Sequence, residues 1–184
     1  MKQFFVALFL LSGLSSFSQT STQDQFSLNF LMPSLEYEVS VSNKSTIDAV
    51  LGMGFGYHDA SYLENPEYGI YPEFETQYRY FYNLDKRMEK GKKTSENSGN
   101  YLAAVGVIAS GDPIIGDMQL DNDYSGFVGP AWGLQRVYNS NFKLNLTLGL
   151  GLGFNDRDNA YLASHIAFQL GFKLGKEKKS PEMR

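Results

Sequence analysis

The 184-residue chain has no cysteine, so disulfides, thiol chemistry and thiolate metal sites are closed to it. Histidine is almost as scarce. His58 and His165 are the only two, and their separation matches no metal-ligand spacing. There is no Walker-type loop, no HExxH, no EF-hand pattern and no GxSxG, which removes the phosphate, metalloprotease, calcium and nucleophile-elbow chemistries served by those spacings. Beyond Gln19 no stretch is apolar over the roughly 20 residues that a spanning helix needs. The net charge of −4 argues against nucleic acid as a partner.

The one long apolar run stands at the start. Lys2 is followed by FFVALFLLSGL and then by SSFS, the basic, apolar, small order of a secretory signal peptide. The expectation is a signal peptide over 1–18, cut near Ser18 and Gln19, and a single domain over 19–184. The export signal points to a compartment where disulfides could persist, and this chain has none to form.

Twelve Tyr, 14 Phe and 18 Gly point to strands, and the periodicity says which. In NFKLNLTLGLGLGF, Asn141 to Phe154, one face carries Phe142, Leu144, Leu146, Leu148, Leu150, Leu152 and Phe154, and the other only Lys, Asn, Thr and Gly. A helix would scatter those leucines, whereas a strand lines them up. The same separation runs through 35–41, 45–57, 69–82 and 161–174. In 124–138 Arg136 falls on the apolar side, where it could reach lipid headgroups beside Tyr138. YLAAVGVIAS, 101–110, is apolar on both faces, and alternation cannot orient it. Several segments exceed the usual globular strand of about 5–6 residues and approach the 9–11 of a tilted membrane strand.

These segments, with 26–32 as the eighth and a break at Pro33, give the expected fold: all-β, an eight-stranded antiparallel transmembrane β-barrel of up-and-down topology, leucine faces outward and polar faces inward. Both termini then lie on the periplasmic side with the tight turns SNKS and YNSN. HDASYLENPEYG, the GDPIIGDMQLDND stretch and FNDRDNA become outer loops. The long basic stretch Leu84 to Asn100 falls on the periplasmic side, its first residues forming a helical turn or two at the mouth and its lysines solvated.

Two stretches carry a family likeness: YPEFETQYRYFYNLDKRMEKGKKTSENSGNYLAAVGV, 71–107, and FVGPAWGLQRVYNSNFKLNLTLGLGLGF, 127–154. An aromatic strand ending in YYNL-like residues, a basic loop, and a GP-x-W-G-x-Q-R strand leading into a glycine-rich one resemble a family of small outer-membrane barrel proteins common in Bacteroidota. The resemblance implies a fold and an outer-membrane location, and no reaction.

No catalytic, cofactor-binding or metal-binding residue is assigned. Gly149, Gly151 and Gly153 keep strand spacing and do not form a dinucleotide loop. Ser164 and His165 are neighbours on a strand, point to opposite faces and cannot easily share a site. His58 beside Asp59 lacks further ligands. The inward carboxylates Glu36, Glu38, Asp48, Glu73 and Glu75 face inward Arg79, Lys143 and Lys173, which predicts a buried ion-pair network sealing the bore. Asp59, Glu64, Glu67, Asp112, Asp117, Asp121, Asp123, Asp156 and Asp158 form an acidic outer rim.

The functional expectation is a non-enzymatic integral outer-membrane barrel with a charged, plugged interior and an envelope-structural or surface-interaction role. Outer-membrane lipid and lipopolysaccharide are its expected neighbours, the acidic loops its contact for an extracellular protein, and the monomer its expected state. The alternatives are an outer-membrane lipid-modifying enzyme and a secreted lipocalin-like carrier of a small apolar ligand.

Overall fold

The computed structural model describes residues 22–58, 66–118, 121–157 and 160–175; the expected signal peptide lies outside them. The elements, in chain order, are β1 Gln25–Asn29, β2 Ser34–Ser42, β3 Ser45–His58, β4 Glu67–Tyr80, α1 Leu84–Glu89, β5 Asn100–Ser110, β6 Ile115–Gly116, β7 Tyr124–Val137, β8 Phe142–Asn155 and β9 Tyr161–Leu174. All pairings are antiparallel, in the order β3-β2-β1-β9-β8-β7-β5-β4-β6, with β3 also paired to β4.

The alternation of side chains decides which face points where. On β2, Glu36 and Glu38 are buried while Leu35 and Tyr37 are exposed, and β8 buries Lys143, Asn145 and Thr147 against exposed Leu148, Leu150 and Leu152. On these strands the inward face is therefore polar and the outward face apolar. β5, which alternation left without a direction, turns Tyr101, Ala103, Val105 and Val107 inward, where they cluster with Phe81, Leu84, Phe127 and Ala131. Glycine provides the space for the large rings. A Cβ on Gly133 would lie 2.3 Å from the Tyr101 ring, and Cβ atoms on Gly129 and Gly151 would each come within 3.0 Å of the Phe127 ring.

The expected eight-stranded transmembrane β-barrel is corrected in two ways. First, the sheet has nine strands. Within the expected outer loop GDPIIGDMQLDND, Ile115 and Gly116 pair with Ile70 and Gly69 and so extend the wall where β5 has ended beside Glu73. Second, the sheet curls round on itself but does not close into a complete barrel. The first hairpin is too short: β2 reaches β3 only as far as Gly52, and β1 reaches β9 only from Gly171 to Leu174. Above it, β3 from Met53 to His58 and β9 from Tyr161 to Gln169 have no strand partner on the facing edge among the described residues. A transmembrane wall would require those backbone groups to be paired, because hydrocarbon offers them no partner. None of the described helices is long and apolar enough to cross a membrane.

The end of the sheet where β1 begins and β9 ends is covered by the segment after β4. Phe81 and Leu84 are buried there, and Glu96 and Asn97 both adopt φ 57°, a conformation unfavourable for side-chain-bearing residues. Partners hold them in it. Glu96 is paired with Lys173 at 2.6 Å and Lys93 at 2.7 Å, and the Asn97 amide accepts from the Gln23 N–H and donates to the Gln23 carbonyl. Lys86, Lys90 and Lys92 are exposed. Arg136 does not extend outward; its guanidinium donates to the Gly99 carbonyl and to Asn100.

Candidate functional site

The lower interior is filled with charge. β4 places Arg79 at its centre, 2.7 Å from Asp48 on β3, 3.5 Å from Glu36 and 3.7 Å from Glu38 on β2. Lys143 from β8 reaches Glu36 at 2.6 Å. Neutral donors complete the set: Gln135 and Thr46 both donate to Glu38, and the Tyr101 hydroxyl, under the Arg79 guanidinium, donates to Asn145. Three carboxylates and two cations are thus removed from water together, each with a partner, as burial of charge requires.

Following the inward positions of β4 upward, the charges lose their partners. Arg79 donates to Gln77, and Gln77 donates to Glu75. Glu75 faces the His165 Nε2 of β9 at 3.3 Å, but that nitrogen makes no aligned hydrogen bond. The imidazole is stacked on Phe127, ring centroids 5.3 Å apart, whose own ring lies in the space left by Gly129 and Gly151. Glu73, the next inward residue, makes no hydrogen bond or ion pair to a described residue. Its carboxylate leans over β3, where a Cβ on Gly54 would sit 2.5 Å from it.

These side chains end a cavity of about 360 Å³, at the low end of the range of small-ligand pockets. Its inner end is Glu73, Glu75 and His165, and its rim is apolar: Leu31 and Met32 from the first turn, Phe55 from β3, Ile166 and Phe168 from β9. The rim residues belong to the outward faces and the inner ones to the inward faces, so the cavity passes through the wall at the gap between β3 and β9. Directly above Glu73, Tyr71 is buried and donates to the Met118 carbonyl at 2.7 Å. The Arg79 network closes the cavity below, and the gap between β3 and β9 opens it to the side.

The expected plugged interior is corrected accordingly. Charge fills the lower part and leaves a cavity above it beside Glu73, Glu75 and His165. Of the sequence alternatives, a small-ligand cavity comes nearer to what is seen than a sealed bore, although the apolar faces are outside and not within. Ser164 is exposed while His165 points in, so the two do not combine. Of the acidic rim, Asp117 accepts from the Tyr68 N–H and Asp156 from the Asp123 N–H, while Asp59, Glu64 and Asp158 lie outside the described residues. No group of three or more metal-ligating residues occurs among the described residues. The sequence did not single out Glu73 and Gly54 as a pair. The available signal was the first two predicted strands, about half the length of their neighbours.

No family model, no curated protein and no solved structure matches the chain. The resemblance to the Bacteroidota outer-membrane barrels is therefore corrected: no relative carries it, and the incomplete wall departs from the fold it implied.

Proposed function

We propose that this protein binds a small amphiphile through the side opening between β3 and β9 and does not convert it chemically. The observation that carries this reading is the cavity itself, apolar at the rim and polar at the inner end, open through the wall and closed below by the Arg79 network. That gradient matches a molecule with a hydrocarbon tail and a polar head. Binding without turnover is favoured because Ser34, the hydroxyl on the cavity wall, accepts from Asn29 and no hydrogen bond joins it to His165 among the described residues.

The proposed setting is the outer membrane, with both termini periplasmic and with membrane lipid and lipopolysaccharide as neighbours. Its support is the exterior: Leu51, Leu150, Leu162 and Ile166 are more than half exposed, Leu162 to 83%. Contiguous apolar surface on this scale requires a cover, at about 25 cal/mol per Å² removed from water.

The test is native mass spectrometry of the purified protein in a maltoside detergent, alone and with Ala167→Phe, which places a ring in the cavity. Retention of a single-chain amphiphile by the unaltered protein and its loss in the variant are expected. Equal retention by both would remove the cavity from the account.

A further inference from the structure

The inner end of the cavity selects its ligand's head by charge. Among the residues that line it, Glu73 and Glu75 are the carboxylates and His165 the single group able to become cationic. Arg79 lies two inward positions further down, beyond Gln77, and is engaged by Asp48, Glu36 and Glu38, and Lys143 is engaged by Glu36, so neither is free to neutralise the cavity. Gln77 takes one side of Glu75 and His165 the other. Glu73 is left over, a half-buried carboxylate, with Gly54 keeping the space in front of it open. A carboxylate in such a place either takes up a proton or is matched by a positive charge, and the open space in front of Glu73 admits a ligand that brings one. An anionic head, such as a fatty acid or a phosphate ester, would add to the imbalance.

We propose that the cavity takes a single-chain amphiphile with a cationic amine head, the ammonium lying between Glu73 and Glu75 and the chain passing out between Phe55 and Ile166. This rests on the amphiphile-binding reading above. A primary alkylamine is charged at neutral pH, as lysine is, and its three N–H donors can satisfy both carboxylates at once.

The experiment compares hexadecylamine, hexadecanoic acid and hexadecanol at equal concentration, read by native mass spectrometry from a nonionic maltoside detergent. The amine is expected to be retained about tenfold better than either competitor, the scale of a charge-assisted hydrogen bond. Glu73→Gln keeps the shape and removes the charge, and should abolish the amine's advantage over hexadecanol and hexadecanoic acid. Equal retention of all three, or preference for the acid, overturns the cationic head; if Ala167→Phe still weakens all three, the cavity reading stands. Retention of none of them overturns both. Should Glu73→Gln fail to fold, the ligand series on the unaltered protein decides alone.

Discussion

At the scale of single residues, the molecule depends on side chains that would be costly anywhere else. Arg79 is completely buried and is the common partner of Asp48, Glu36 and Glu38. Removing it leaves three carboxylates around one uncompensated position, so Arg79→Ala is expected to destabilise the fold by about 3–5 kcal/mol, measured as a lowered urea midpoint. A smaller loss would mean that Lys143 swings over to replace it. Gly133 is the apolar counterpart. Its missing Cβ is where the Tyr101 ring lies, and Gly133→Val should cost about 1–3 kcal/mol through overpacking and displace the tyrosine from Asn145, a change that near-ultraviolet circular dichroism would report. Alternation in the sequence identified both as inward positions. It could not say which ring lay on which glycine, because Tyr101 and Gly133 are brought opposite each other only by the β5–β7 register.

Among the elements, the segment between β4 and β5 behaves as a latch. Burial alone would raise the Glu96 carboxyl, but hydrogen bonds from Lys173 and Lys93 outweigh it and hold it below its ordinary value of 4.5. A carboxyl depressed in the folded state contributes stability above its unfolded value, and that contribution is lost as pH falls through the folded value. The latch should therefore be tight at neutral pH and loosen below pH 4.5. Hydrogen exchange over 95–99 is expected to accelerate there after correction for the intrinsic rate, and Glu96→Gln should show the same acceleration already at pH 7. Protection that is indifferent to both changes would show that Asn97 and Gln23 hold the segment unaided. The helical start of this stretch was legible from LDKRMEK, whereas the buried role of Glu96 was not, since its partner Lys173 lies at the far end of the chain on β9.

For the molecule as a whole, the distribution of polarity is inverted relative to a water-soluble domain, with charge inside and Leu, Ile, Phe and Tyr outside. Without detergent or lipid the purified protein is expected to aggregate, and with phospholipid vesicles it should float in a density gradient. A monodisperse, detergent-free monomer would remove the support for an outer-membrane setting and leave the side cavity to be explained in water.

What the sequence determined by itself is everything that repeats every two residues: the main strands to within a few residues, the outward leucines, and the inward Glu36, Glu38, Asp48, Arg79 and Lys143. That period belongs to the strand backbone and needs no partner to be read. Tertiary structure decided what depends on register between distant segments: the addition of β6, the direction of β5, which carboxylates found a cation and which did not, and the open window above the first hairpin. A hairpin is short only in comparison with the strands beside it. That comparison acquires physical meaning once Ser34 is placed opposite Gly52 and Asn29 opposite Gly171, leaving the upper edges of β3 and β9 without a strand between them.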